Sequence, residues 1–144
     1  MSHVSPMSER QTRAAELLRA AGVLPVITVH SLDEARAIAD ALLEGGLDTL
    51  ELTLRTPVAI EALAMLKRER PGIVIGAGTV LSEENIRASI DAGADFLVTP
   101  GTPAALADAL AEADIPVVPG AATPTEFMAL RERGFRNCKL FPAS

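Results

Sequence analysis

Residues 50–57 of the chain read LELTLRTP, in which apolar residues alternate with polar or charged ones. Successive side chains of a β-strand point to opposite faces, so this stretch predicts a strand with one apolar face. The other face would carry an acid, a hydroxyl and a guanidinium in one row, from Glu51, Thr53 and Arg55. A solvated antiparallel edge strand would show the same alternation, and the surrounding sequence decides between the two interpretations.

This strand belongs to a series of six apolar runs rich in β-branched residues. The runs are LPVITV (24–29), TLELTL (49–54), IVIGAG (73–78), FLVTPG (96–101), PVVPGA (116–121) and CKLFPA (138–143). They begin roughly 20 to 25 residues apart, which is the span of a strand, a helix and two short turns. Between the runs, apolar residues fall at helical spacing. The pattern predicts a repeated βα unit.

Residues that begin and end helices lie where this repeat needs them. Ser31 and Glu34 form the pattern of a capping box at the start of a helix. Three Thr-Pro pairs are expected to cap helices that follow strands, and they occupy residues 56–57, 102–103 and 123–124. Three glycines are expected to end helices in the left-handed conformation, and they are Gly45, Gly93 and Gly134.

The repeat also predicts how the strands are arranged. Strands separated by helices run parallel, and a parallel sheet is buried on both faces, so the solvated-edge interpretation of LELTLRTP becomes the weaker one. An open doubly wound sheet and a closed (β/α) barrel both fit, and the regular repeat favours the barrel. A barrel needs eight units, and this chain supplies six. We therefore expect a single α/β domain, a (β/α)8 barrel that is incomplete at its carboxyl end, over residues 8–144. It follows a disordered tail of residues 1–7 and begins with a helix.

Composition excludes several classes of function. The net charge is -6 at pH 7 and no basic run occurs, which argues against a nucleic-acid binder. No apolar run approaches the length of about 18 residues that could span a bilayer, and the first seven residues do not form a signal peptide.

A single cysteine, Cys138, fits a reducing compartment, so we expect a cytoplasmic protein. His30 has no partner at metal-ligand spacing, so we expect no metal site.

Strand alternation places a lysine on the inner face of the sixth strand. If Glu51 points into the barrel, the same alternation directs Lys139 and Phe141 inward and Cys138 and Leu140 outward, and it groups Thr79 with Ile75 and Ala77 on the third strand. A buried amine is costly when charged, and a neutral amine in an apolar enclosure attacks carbonyls to form a Schiff base. The alternative is a lysine that forms a structural ion pair with Glu51, and the residues alone favour neither interpretation.

The motifs LPVITV, LELTLRTP, IGAGTVL, VTPG, VPGAATPTE and KLFPA, in this order and spacing, resemble the 2-keto-3-deoxy-6-phosphogluconate (KDPG) aldolase family. The family also carries 4-hydroxy-2-oxoglutarate (KHG) aldolase activity. The resemblance implies a homotrimeric (β/α)8 barrel that acts as a class I aldolase without metal or cofactor. It implies that Lys139 forms the Schiff base, that Glu51 is the acid/base, and that Arg55 and Thr79 bind the carboxylate of pyruvate.

The implied reaction cleaves KDPG to pyruvate and glyceraldehyde 3-phosphate, or KHG to pyruvate and glyoxylate. Two further residues are candidates for the substrate site. Phe141 would exclude water from the imine, although the residues alone favour an ordinary core phenylalanine. Pro100 would shape the mouth of the site, unless it merely ends a strand. The alternatives are a non-catalytic fragment or scaffold with the same fold, and the relative specific for the phosphogalactonate epimer.

Overall fold

A computed structural model describes residues 5–143 as alternating helices and parallel strands. The helices are α1 (Pro6–Ala21), α2 (Leu32–Glu44), α3 (Ala59–Glu69), α4 (Glu83–Asp91), α5 (Ala104–Glu112) and α6 (Pro124–Glu132). The strands are β1 (Val26–Ile27), β2 (Thr49–Thr53), β3 (Val74–Gly78), β4 (Phe96–Val98), β5 (Val117–Val118), β6 (Gly120–Ala121) and β7 (Lys139–Leu140). Each strand lies within one of the six predicted runs.

The strands pair in chain order. β1 to β5 form one parallel sheet, and β6 pairs in parallel with β7. The fifth predicted strand is divided into β5 and β6 at Pro119, which has no backbone N–H to give to a ladder. The sequential order with helical crossovers is that of a (β/α) barrel wall.

The sheet is buried on both faces, as expected for parallel strands. The larger core lies outside the sheet, where Leu50, Leu52 and Ile75 pack under helices α2 to α6. A smaller core lies on the inner face, where Phe96 and Val98 pack with residues of α1. The solvated-edge interpretation of β2 is therefore wrong, because all five residues of that strand are buried.

Helix α1 closes the inner face through a buried glutamine. The side chain of Gln11 donates to the carbonyl of Val117 at 2.9 Å and accepts the backbone N–H groups of Arg136 and Asn137 at 2.8 and 3.0 Å. The helix begins at Pro6, two residues earlier than predicted, because Ser5 caps it by accepting the N–H of Ser8. The rest of the predicted tail lies outside the described residues.

The Thr-Pro pairs have different roles. Thr123 caps α6, as predicted, and it also forms a capping box with Glu126 that the sequence analysis did not identify. The other two threonines do not cap helices, because each hydroxyl donates to a backbone carbonyl of a different βα unit instead. Thr56 donates to Val29 at 2.7 Å, and Thr102 donates across to β6.

Helix ends follow the predicted glycine pattern with one exception. Gly93 and Gly134 adopt left-handed backbone conformations, with φ of 90° and 94°. Gly45 is right-handed with φ of -76°, and the next residue, Gly46, takes the left-handed position with φ of 82°. Half of the predicted capping box at α2 forms. The hydroxyl of Ser31 accepts the N–H of Glu34 at 3.1 Å, but the carboxylate of Glu34 accepts the N–H of His30 and not that of Ser31.

Within residues 5–143, no helix is both long and apolar enough to cross a membrane.

Candidate active site

Lys139 and Glu51 come together on the inner face of the sheet. The Nζ atom of Lys139, on β7, lies 3.3 Å from Oε1 and 3.5 Å from Oε2 of Glu51, on β2. The side chain of Glu51 is 2% exposed and that of Lys139 is 26% exposed. A carboxylate with almost no access to water thus faces an amine that a small molecule can still reach. The predicted inward direction of both side chains is confirmed.

Glycines of β3 make room for this carboxylate. Glu51 is registered with Gly76 and Thr53 with Gly78, so these four residues share the inner face. A Cβ atom at Gly78 would overlap the carboxylate of Glu51, and one at Gly76 would overlap the ring of Phe96. Sequence reasoning missed this role, although the alternation IGAG in a strand is a signal for it.

The register corrects the predicted inner row of β3. Ile75 and Ala77 belong to the outer core, so they do not share a face with Glu51. Thr79 follows β3 with φ of 57°, a left-handed conformation that is rare for a β-branched residue. Because the backbone turns there, strand alternation does not determine the direction of Thr79.

A pair of threonine hydroxyls lies further along the inner face. The Oγ1 atoms of Thr28 and Thr53 are 2.7 Å apart, and Thr53 is fully buried. The sequence predicted that Thr53 shares the face of Glu51, but it did not identify Thr28 as its partner. The hydrogen bond ties β1 to β2 just beyond Glu51 and holds the row of polar side chains in place.

The amine and the carboxylate border a cavity of about 270 Å³. The remaining wall is mostly apolar and consists of Leu18, Leu24, Val26, Val98, Val118 and Cys138. Cys138 also packs against the outer core, in line with its predicted direction, and burial raises the pKa of its thiol while the charge of Arg131 opposes that rise. Its neighbour Leu140 is 55% exposed.

The other candidate residues lie at the carboxyl ends of the strands. Arg55 is exposed two residues beyond β2, and no ion pair joins it to another described residue. Pro100 is partly buried two residues beyond β4. Phe141 directly follows β7 and is 39% exposed, and its ring centroid is 5.2 Å from Nζ of Lys139. The predicted site residues therefore gather at one end of the sheet, where barrel enzymes place their active sites.

Among residues 5–143, no three His, Cys, Asp or Glu side chains form a group that could hold a metal ion. The groups that a small molecule can contact here are the amine of Lys139, the carboxylate of Glu51, the exposed guanidinium of Arg55 and the apolar wall of the cavity. A lysine beside a buried carboxylate can exchange a proton with it and can attack a carbonyl carbon.

Comparison with known proteins identifies the family. The family model of KDPG and KHG aldolase matches residues 14–144. The 2-dehydro-3-deoxy-phosphogluconate aldolases of Dickeya dadantii (strain 3937) and Pseudomonas aeruginosa are 40% and 42% identical to the chain over 137 residues. The KHG/KDPG aldolase of Escherichia coli (strain K12) is 39% identical. Each match covers 95% of this chain, and the chain spans 62% to 64% of the length of these relatives.

Solved structures give the same result. The KDPG aldolase of Legionella pneumophila, with pyruvate captured as a covalent carbinolamine intermediate, superposes with a TM-score of 0.85 at 38% identity. That match covers 97% of this chain and 64% of the other. The KDPG aldolase of Zymomonas mobilis ATCC 29191 superposes with a TM-score of 0.86 at 39% identity, covering 90% and 63%. The predicted fold, a TIM-barrel type of α/β fold, is confirmed, and the chain belongs to the KDPG and KHG aldolase family.

Proposed function

We propose that the site of this chain performs class I aldolase chemistry on a 2-keto acid, with Lys139 as the Schiff-base residue and Glu51 as the acid/base. The observation that carries the proposal is the contact between Nζ of Lys139 and the buried carboxylate of Glu51, at 3.3 and 3.5 Å. It is supported by the relatives named as aldolases and by the Legionella pneumophila enzyme, which holds pyruvate as a carbinolamine.

The first half of the reaction forms the imine. The neutral amine of Lys139 attacks the C2 carbonyl of the substrate, and the carbonyl π electrons move to oxygen. The attacking nitrogen gives up one proton, and the oxygen takes one up, which gives the neutral carbinolamine. Protonation of that hydroxyl by Glu51 releases water and leaves a protonated imine. The carboxylate of Glu51 can serve the proton transfers of both carbinolamine formation and dehydration, because it is within hydrogen-bond distance of Nζ of Lys139.

The second half breaks a carbon–carbon bond. Glu51 accepts the proton of the C4 hydroxyl, the C3–C4 electrons flow into the protonated imine, and the C4 fragment leaves as an aldehyde. The resulting enamine takes a proton at C3, and water then hydrolyses the imine to release pyruvate and the amine of Lys139. The protonated imine is the electron sink, so the proposed reaction uses no metal and no organic cofactor.

Recognition of the substrate carboxylate is assigned to Arg55 and Thr79. Arg55 is exposed at the end of β2, where a guanidinium can bind a carboxylate through two parallel hydrogen bonds. Thr79 directly follows the adjacent strand β3, so it lies at the same edge of the sheet as Arg55. Pro100 and Phe141 complete the proposed binding site at the ends of β4 and β7.

The proposed substrates follow from the names of the relatives. Cleavage of KDPG gives pyruvate and glyceraldehyde 3-phosphate, and cleavage of KHG gives pyruvate and glyoxylate. Both share the pyruvate half that Lys139, Arg55 and Thr79 would hold. We also propose a cytoplasmic homotrimer, for which the single cysteine and the family resemblance are the support, and light scattering of the purified chain would measure the subunit number.

A second candidate function has an observation in its favour. An ion pair such as that of Lys139 and Glu51 also serves to satisfy a buried charge, here the carboxylate of Glu51. On this alternative, the chain keeps the packing of the fold without turnover.

Trapping with pyruvate and borohydride distinguishes the two candidates. The sequence contains two lysines, Lys67 and Lys139, so peptide mapping can assign a reduced pyruvate adduct to one residue. We expect the adduct on Lys139 in the wild-type chain and its loss in Lys139→Arg, which keeps a positive charge beside Glu51. Lys67→Arg is the matched control, because Lys67 is engaged with Asp95 at 2.8 Å, and it should retain the adduct. Absence of any adduct on Lys139 in the wild-type chain would refute the aldolase proposal.

A further inference from the structure

Gly120 on β6 directs its backbone N–H and C=O away from β7. The carbonyls on either side of it, of Pro119 and Ala121, accept the N–H groups of Lys139 at 2.9 Å and Phe141 at 3.1 Å. Neighbouring residues of a strand direct their backbone groups to opposite sides, so the polar groups of Gly120 face β4. Strand β7, which carries Lys139, is therefore held by the two residues that flank Gly120.

Two threonine hydroxyls take up both polar groups of Gly120. Its N–H donates to Oγ1 of Thr99 at 2.9 Å, and Oγ1 of Thr102 donates to its carbonyl at 2.8 Å. The two hydroxyl oxygens are 2.8 Å apart. Because the hydroxyl proton of Thr102 is used on the carbonyl, the proton between the two oxygens comes from Thr99. Each of the three hydrogen bonds therefore has a defined direction.

This arrangement, which we name the Thr99–Thr102 clamp, replaces a missing part of the sheet. The backbone ladder between β4 and β5 has Val98 paired with Val118, and the next residue of the second strand is Pro119. Thr99 is fully buried, and a Cβ atom at Gly120 would overlap the carbonyl groups of Thr99 and Pro100. The clamp therefore holds β6 against the end of β4, with Gly120 in close contact with the backbone of Thr99 and Pro100.

We propose that Thr99 and Thr102 are positioning residues for Lys139. The clamp fixes β6 against β4, β6 fixes β7 through the backbone bonds of Lys139 and Phe141, and the amine thereby stays within reach of Glu51 on β2. The inference rests on the proposed function in one respect, that Lys139 is the reacting amine. Neither threonine touches the substrate in this proposal.

Amide hydrogen exchange tests the mechanical part of the proposal without any substrate. Thr99→Val keeps the shape of the side chain and removes its hydroxyl, so the amides of Lys139 and Phe141 should exchange about tenfold faster or more than in the wild-type chain. Thr102→Val should have the same effect. The amide of Leu54, which donates to Gly78 at 2.8 Å elsewhere in the sheet, should be unchanged.

Pyruvate trapping tests the chemical consequence. At saturating pyruvate, Thr99→Val should form the reduced adduct at least about tenfold more slowly than the wild-type chain. A displacement of a reacting group by about 1 Å is sufficient to lower a reaction rate by this much. Thr99→Ser restores the hydroxyl and should stay within about threefold of the wild-type rate. The matched control is Thr49→Val, because Thr49 is also buried but donates to Asp48 at the opposite end of β2, and it should trap at the wild-type rate.

The outcomes separate the two proposals. Wild-type exchange rates of Lys139 and Phe141 in Thr99→Val, or an unchanged trapping rate, would overturn the positioning role while leaving the aldolase proposal intact. A wild-type chain that forms no adduct would overturn the aldolase proposal, and the exchange data would then decide the mechanical role of the clamp by themselves. Folding of each variant is checked by thermal unfolding before either measurement.

Discussion

The carboxylate of Glu51 lies over the Cα atom of Gly78, in the space that any side chain at position 78 would fill. Gly78 is the last residue of β3, and its register partner Thr53 lies two residues beyond Glu51 on β2. The position of the proposed acid/base thus depends on the absence of a side chain on the neighbouring strand. A methyl group there must displace either the carboxylate or the strand.

Substitution of Gly78 by alanine tests this dependence. We expect Gly78→Ala to lower the rate of aldol cleavage by about 10- to 100-fold, because the carboxylate moves away from the amine of Lys139. The measurement is kcat for the cleavage of KDPG by the folded variant. Gly72→Ala is the matched control, since an added Cβ there meets no atom within 4 Å, and it should leave kcat unchanged. Wild-type kcat in Gly78→Ala would show that Glu51 tolerates displacement.

Removal of the negative charge of Glu51 should separate imine formation from turnover. Glu51→Gln keeps the amine of Lys139, so the adduct still accumulates over a long incubation with protons supplied by water, but it removes the group that accepts and returns protons in each step of turnover. We expect kcat to fall by about 10²- to 10⁴-fold while borohydride trapping persists. The control is Glu61→Gln, an exposed acid in the first turn of α3. Turnover at the wild-type rate in Glu51→Gln would contradict the acid/base assignment.

Arg55 should contribute mainly to substrate affinity. Arg55→Lys keeps the charge but loses the planar fork that matches a carboxylate, so we expect the KM of the substrate to rise by about tenfold or more. Steady-state kinetics with KDPG measure this KM, and trapping at graded pyruvate concentrations measures the concentration of pyruvate needed for half-maximal adduct formation. Arg68→Lys, on the exposed face of α3, should change neither quantity. An unaltered KM in Arg55→Lys would remove Arg55 from the proposed binding site.

Gln11 should be important for stability rather than for chemistry. Gln11→Leu leaves the carbonyl of Val117 and the N–H groups of Arg136 and Asn137 without their partner inside the protein. Each buried polar group left unpaired costs about 1–3 kcal/mol, so the free energy of unfolding should fall by at least about that amount. Urea denaturation gives the value. Thr12→Val, an exposed change on the same helix, should alter it by less than about 0.5 kcal/mol.

The capping carboxylate of Glu126 makes part of the stability dependent on pH. The backbone N–H groups of Ala122 and Thr123 hold the pKa of Glu126 below its ordinary value of 4.5. A carboxyl group with a lowered folded-state pKa stabilises the protein above its unfolded-state pKa, and this contribution is lost as the pH falls through the folded-state value. We therefore expect Glu126→Gln to have a lower melting temperature than the wild type at pH 7, with the difference shrinking below about pH 4. A difference that is constant from pH 7 to pH 3 would contradict this.

Local patterns in the chain were sufficient to predict the strands and the inward row of the site. Alternation in LELTLRTP identified the face of Glu51, and the same rule placed Lys139 on the inner face of a strand 88 residues later. The rule works because strand geometry is local, with a period of two residues, and because crossover helices force the strands to be parallel. It failed on β3, where it grouped Thr79 with Ile75, because the left-handed backbone of Thr79 interrupts the period.

Periodicity in the sequence by itself determined the alternation of strands and helices and the faces of Glu51 and Lys139, and it favoured a barrel over an open sheet. Only the tertiary structure decided the roles that depend on residues from distant repeats, such as the space above Gly78 and the partners of the hydroxyl groups of Thr56 and Thr102. Those two hydroxyls follow the same Thr-Pro pattern as Thr123 and would cap helices in isolation. They donate to backbone carbonyls of other βα units instead, because packing brings these acceptors within reach, and no local pattern contains that information.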